Sequence, residues 1–66
     1  MTKEEFKMNL LLLGFAYLVD VDLYHHDKIS VAIRAPFIPI AVDIYTSGIC
    51  TRYYTHEEAL DYLINN

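Results

Sequence analysis

The stretch VDVDLYHHD, residues 19–27, gathers Asp20, Asp22, His25, His26 and Asp27, and carboxylates with imidazoles are the side chains from which zinc and manganese sites are built. A structural zinc site closes with four ligands, and a catalytic one needs three plus an open position. If the stretch is a strand, Asp20 and Asp22 share one face, while the histidines fall in a turn from which at most one imidazole points back. Two or three ligands converge on that reading, short of a full set. A metal-dependent enzyme using Asp22, His25, His26 and Asp27 is therefore the alternative. The leading expectation is a polar strand running into a solvated turn, with no metal and no cofactor.

Other reactive side chains carry less. Cys50 lies in a strand-like segment with no base beside it to activate a nucleophile. His56 follows Thr55 at the start of a helical pattern, where a solvated first-turn residue is expected rather than a general base. The chain has no glycine-rich phosphate loop, nucleophile elbow or zinc-binding helix motif. No catalytic residue is expected.

Size and composition narrow the classes further. The chain has 66 residues, 55% hydrophobic and 21% charged, with two glycines and two prolines, the profile of a single packed domain. A chain this short buries only about 60% of the surface it exposes when unfolded. Its net charge of −4 and pI near 5.0 have the wrong sign for gripping a phosphate backbone, so no direct nucleic-acid contact is expected. The single cysteine allows no internal disulfide. The apolar run Leu10–Val19 is about half the ~20 residues of a membrane span. Glu4, Glu5, Asp20 and Asp22 do not suit a signal peptide. A cytoplasmic protein without a membrane partner is the expectation.

The elements that must position these residues are punctuated clearly. Thr2 and Glu5 have capping-box spacing, Phe6, Leu10 and Leu13 recur at helical period, and Gly14 suits a left-handed terminator, which predicts a helix over Lys3–Leu13. Thr55 and Glu58 repeat the box ahead of Ala59, Leu60, Leu63 and Ile64, predicting a second helix to Asn66. Between them the period is two. One strand is expected over Tyr17–Tyr24, with Tyr17, Val19, Val21 and Leu23 inward and Leu18, Asp20, Asp22 and Tyr24 outward. A second follows over Lys28–Arg34, with His25, His26 and Asp27 as the turn, Leu23 opposite Ile29, Asp22 beside Ser30, and Arg34 near Asp20.

Pro36 and Pro39 mark a connection or an edge. A third strand, Ile40–Tyr45, turns at Thr46, Ser47 and Gly48 into a fourth, Ile49–Tyr54. Pairing Tyr45 with Cys50 sets Asp43 opposite Arg52 on the outer face, and Ile44 opposite Thr51 and Val42 opposite Tyr53 on the inner one. A one-residue slip would send Arg52 inward, where an unpaired charge is costly. The fold class is thus α+β, an antiparallel β-sheet of four strands, or three if the first two join poorly, with N- and C-terminal helices packed on one face.

The other face stays open. It is expected to display Asp20, Asp22, Tyr24, Arg34, Asp43, Tyr45, Arg52 and Tyr54, a mixture in which tyrosine and arginine are the usual anchors of protein–protein contacts. The aspartates would complement a basic surface on the partner, and pairing of two open faces would make a homodimer. An amphipathic helix closing in LGF (Leu13, Gly14, Phe15), a strand meander and a THEEALDYL ending (Thr55–Leu63) resemble the layout of short orphan bacteriophage proteins. The resemblance implies a host-takeover role, as in anti-CRISPR proteins, in which the chain inhibits a larger machine stoichiometrically and performs no chemistry. The function expected is a small non-enzymatic protein-binding protein.

Overall fold

The hydroxyl of Thr2 accepts from the Glu5 N–H at 3.1 Å and the Glu5 carboxylate accepts from the Thr2 N–H at 2.7 Å, so the first helix begins where its capping box places it. In the computed structural model, which describes residues 1–34 and 40–65, this helix, α1, spans Lys3–Leu12. It ends one residue earlier than expected, because Leu13 is the cap. Gly14 at φ +99° donates to the Leu11 carbonyl at 3.0 Å and Phe15 donates to the Leu10 carbonyl at 3.0 Å. That pair of bonds is the Schellman motif, and its usual apolar contact is supplied by Leu10 and Phe15, both in the core. The second helix, α2 (His56–Asn65), starts at Thr55, whose hydroxyl accepts from the Glu58 N–H at 3.1 Å and donates to the Glu58 carboxylate at 2.9 Å.

Among the described residues five strands lie between the helices: β1 (Ala16–Leu18), β2 (Leu23–His26), β3 (Ile29–Arg34), β4 (Ala41–Thr46) and β5 (Ile49–Tyr53). They form one antiparallel meander in chain order. Phe6 and Leu10 from α1 and Ala59, Leu60 and Leu63 from α2 pack on Tyr24, Val31, Val42 and Ile44 from a single face of the sheet. Both helices therefore cover one face, and the fold is α+β. Phe6, Leu10, Val31, Val42 and Ile44 are fully buried, each contributing about 1.5–3 kcal/mol of hydrophobic stabilisation.

The C-terminal hairpin has the expected register: Val42 opposite Tyr53, Asp43 opposite Arg52, Ile44 opposite Thr51 and Tyr45 opposite Cys50. Its turn is two residues long, Ser47 and Gly48, both at positive φ (51° and 77°), as a type I′ turn requires. Thr46 belongs to β4. The connection expected around Pro36 and Pro39 lies outside the described residues.

The N-terminal half of the sheet differs from expectation. The strand expected over Tyr17–Tyr24 is a hairpin, in which β1 turns through Val19–Asp22 into β2 with Leu18 opposite Leu23. Asp22 at φ 53° makes this turn possible, since a short polar side chain tolerates the left-handed region. Alternating valine and aspartate mimic a strand, yet Val19 and Val21 are 74% and 58% exposed, as loop residues would be. Among the described residues the sheet consequently has five strands rather than four.

The turn expected at His25, His26 and Asp27 shrinks to Asp27 and Lys28, with Asp27 at φ 54°. His26 then faces Ile29, His25 faces Ser30 and Tyr24 faces Val31. Relative to the expected pairing of Leu23 with Ile29, the register has moved by an odd number of residues, which exchanges the two faces of β2. Tyr24 turns inward as a result.

Candidate functional site

At the centre of the face turned away from the helices sits Asp43, its side chain only 4% exposed. Alternation along β4 puts Ala41 and Tyr45 on the same face, and cross-strand pairing adds Ala32 and Arg52. Arg52 donates through Nε to Asp43 Oδ1 at 2.7 Å and through Nη2 to Oδ2 at 3.0 Å. Arg34 reaches the same carboxylate from β3, donating through Nε to Oδ2 at 3.0 Å, and its Nη2 donates to the Tyr45 hydroxyl at 2.7 Å. Ala32 and Ala41, both buried, form a low floor beside this network.

The electrostatics follow from these bonds. Arg52, with Arg34 adding to it, holds the Asp43 carboxyl below its ordinary value against the opposing effect of burial. Asp43 in turn raises both guanidiniums. The carboxylate is thus satisfied within the chain, while the arginine side chains remain 43% and 49% exposed and turn toward solvent. Arg52 is bidentate on Asp43 and Arg34 is held between Asp43 and Tyr45, so the remaining donors of each guanidinium are held in defined directions. Around the network lie exposed Cys50 opposite Tyr45, exposed Tyr54 just after β5, and His25, whose Nδ1 lies 2.9 Å from Ser30 Oγ. No helix covers this face among the described residues.

Of the residues expected here, Arg34, Asp43, Tyr45 and Arg52 are brought together, and Tyr54 lies exposed at the strand end. Asp20 and Asp22 are not on the face, because the segment that carries them is the β1–β2 loop. Asp22 accepts a bond from the Tyr17 hydroxyl at 2.7 Å, which raises that phenol. Tyr24, 8% exposed, is part of the core beneath α1, and burial raises its phenol. Its ring packs tilted against Tyr17 at 4.9 Å. Arg34 pairs with Asp43 instead of approaching Asp20.

The four residues of the metal alternative are separated. His25 and His26, adjacent on a strand, point to opposite faces, and His26 packs on Phe15 at 5.4 Å. Asp27 is in the tight turn and Asp22 in the preceding loop. No group of three or more His, Cys, Asp or Glu side chains that could hold a metal ion occurs among the described residues.

His56 is a correction. It is 3% exposed, stacks on Phe6 at 5.0 Å and places Nδ1 3.3 Å from the Met1 carbonyl, which ties the chain terminus to α2. Its helical spacing with Ala59, Leu60 and Leu63 was the available signal for burial. A small polar concavity of about 170 Å³, lined by Lys3, Lys7, Asp22, Tyr24 and Ile33, opens on the helix side. It was not legible because the β1–β2 loop supplies one of its walls. No helix among the described residues is long and apolar enough to cross a membrane. Compared with known proteins, the chain matches no family model, no curated protein and no solved structure.

Proposed function

We propose that the chain is a small non-enzymatic binding protein that docks a protein partner through the open face of its sheet, acting as a viral inhibitor of a larger host machine. The observation that carries the docking surface is the Arg34–Asp43–Arg52 network with Tyr45, four side chains locked by mutual hydrogen bonds on the face that no helix among the described residues covers. Locked arginine and tyrosine side chains lose little further entropy on binding, which is what makes such residues effective anchors. The inhibitory, viral part of the reading rests on the resemblance to bacteriophage proteins.

Asp43 is neutralised from within, so the centre presents guanidinium donors that suit carboxylates or backbone carbonyls of a partner. Asp20 and Asp22, in the β1–β2 loop, lie off this face, and Asp22 sits beside Lys3 and Lys7 on the helix side. Affinity capture from the host cell with mass spectrometry identifies the partner, and the substitutions Tyr45→Ala and Tyr54→Ala then test the face. Loss of capture with these variants, and retention with Lys3→Ala and Lys7→Ala on the helix side, is the expected result. Equal retention by all four variants would reject the face.

A further inference from the structure

Among the described residues β5 is an outer strand, bonded to β4 on one side only, and Ile49, Cys50, Thr51 and Arg52 are all exposed along it. The alternation of ladder bonds decides which backbone groups look outward. Thr46 and Ile49 flank the two-residue turn, so they exchange N–H···O=C bonds, as does every second pair beyond them, Ile44 with Thr51 and Val42 with Tyr53. The N–H and C=O groups of Cys50 and Arg52 therefore point away from β4. The opposite edge of the sheet, β1, is only three residues long, whereas β5 is a five-residue template with no proline, lysine or bulge to blunt it.

We propose that β5 pairs antiparallel with β5 of a second copy of this chain, across a two-fold axis through Thr51, joining two sheets into one. Three two-fold registers bring outward-facing groups together, centred on Cys50, Thr51 or Arg52. Centring on Arg52 sets two guanidiniums directly opposite each other, which is unfavourable. Centring on Cys50 leaves Arg52 facing the Gly48 turn, where the strand has ended. Centring on Thr51 lets Cys50 and Arg52 of each copy exchange ladder bonds with Arg52 and Cys50 of the other.

The same register settles the side chains on the helix side. Ile49, 65% exposed in the single chain, comes to lie against Tyr53 of the second copy. Tyr53 packs on Tyr62 at 5.8 Å, and the two line a groove of about 360 Å³ together with Glu58 and Asp61. The most exposed apolar side chain of the strand is thus covered by an aromatic pair, the kind of cross-strand contact that stabilises sheets. Pairing about an axis perpendicular to the sheet keeps both open faces on one side, so the surface proposed above is doubled rather than covered.

Disulfide trapping tests the register. At the axis Thr51 meets its counterpart as a non-hydrogen-bonded pair with Cα atoms about 4.5 Å apart, within reach of a disulfide. A chain carrying Cys50→Ser and Thr51→Cys is expected to cross-link into a dimer for more than half of its mass under mild oxidation, with the wild-type chain largely unlinked. Cross-linking of the double variant no greater than that of the wild type would overturn the register. Light scattering over a dilution series is the second measurement: the wild type reads twice its 7.7 kDa mass at high concentration, and Ile49→Lys, with an unchanged circular dichroism spectrum, reads once. A wild-type mass that stays at one chain up to millimolar concentration, or a dimer indifferent to Ile49→Lys, overturns the proposal. Tyr45→Ala leaves dimerisation intact, which separates failure of this edge from failure of the docking face.

Discussion

Replacing Asp43 by asparagine keeps the shape of the side chain and removes the charge that two arginines share. The carboxylate accepts three N–H bonds, from Arg52 Nε and Nη2 and from Arg34 Nε. A hydrogen bond to a charged group is worth about 1.5–3 kcal/mol, and breaking a fully buried ion pair costs about 3–5 kcal/mol. Asp43 is buried, but both guanidiniums are close to half exposed, so water recovers much of what they lose. The expected loss is about 2–3 kcal/mol, against a total stability of about 3–10 kcal/mol for a domain of this length. Melting should fall by about 10–20 °C.

Urea unfolding followed by circular dichroism measures this loss, and the single variants order it. Arg52→Ala, which removes two of the three bonds, costs more than Arg34→Ala, which removes one from Asp43. The sign of the pH dependence follows from the direction of the shift: Asp43 is held below its unfolded value of about 3.9. Its stabilisation is fully present above that value and is lost as pH falls through the depressed native one. The gap between wild type and Asp43→Asn should therefore be wide at pH 6 and should close in strong acid. A gap under about 0.5 kcal/mol at pH 6, the range of an ordinary surface substitution, would refute the view that this carboxylate organises the open face.

Two further outcomes follow from the backbone and the chain terminus. Gly48→Ala, at φ +77° with open space around the new Cβ, should cost about 1 kcal/mol from the conformation alone. Gly14→Ala should cost more, since φ +99° lies farther from the left-handed minimum than φ +77° and the new Cβ sits 3.3 Å from the His26 ring; equal costs by urea unfolding would contradict the close approach. The Met1 ammonium contacts Glu57 at 2.8 Å, and the contact raises the amine and lowers the carboxyl. Its stabilisation is lost as pH rises through the raised native value of the amine, and at the acid end as pH falls through the lowered value of Glu57. Glu57→Gln should remove the alkaline loss from the unfolding profile, and a profile identical to that of the wild type would show that the pair is not formed in solution.

Local chemistry was sufficient wherever a residue's conformation depends on its sequence neighbours. Both helix starts follow from Thr2 with Glu5 and Thr55 with Glu58, the end of α1 from Gly14, and the C-terminal hairpin from Ser47 and Gly48 with a charge pair that forbids a slip. The Asp43–Arg52 half of the candidate site was legible for that reason. The N-terminal hairpin was not, because Val19–Asp22 has the alternation of a strand, and only the left-handed backbone of Asp22 and Asp27 shows that the chain turns twice. Those turns moved Asp20 and Asp22 off the open face and Tyr24 into the core. Joining Arg34 to Asp43 required β3 to lie beside β4 in register, and burying His56 required Phe6 of the first helix to meet it. Contacts between elements distant in the chain are decided by competition for a shared core, and that competition is settled only when the sheet and helices are assembled.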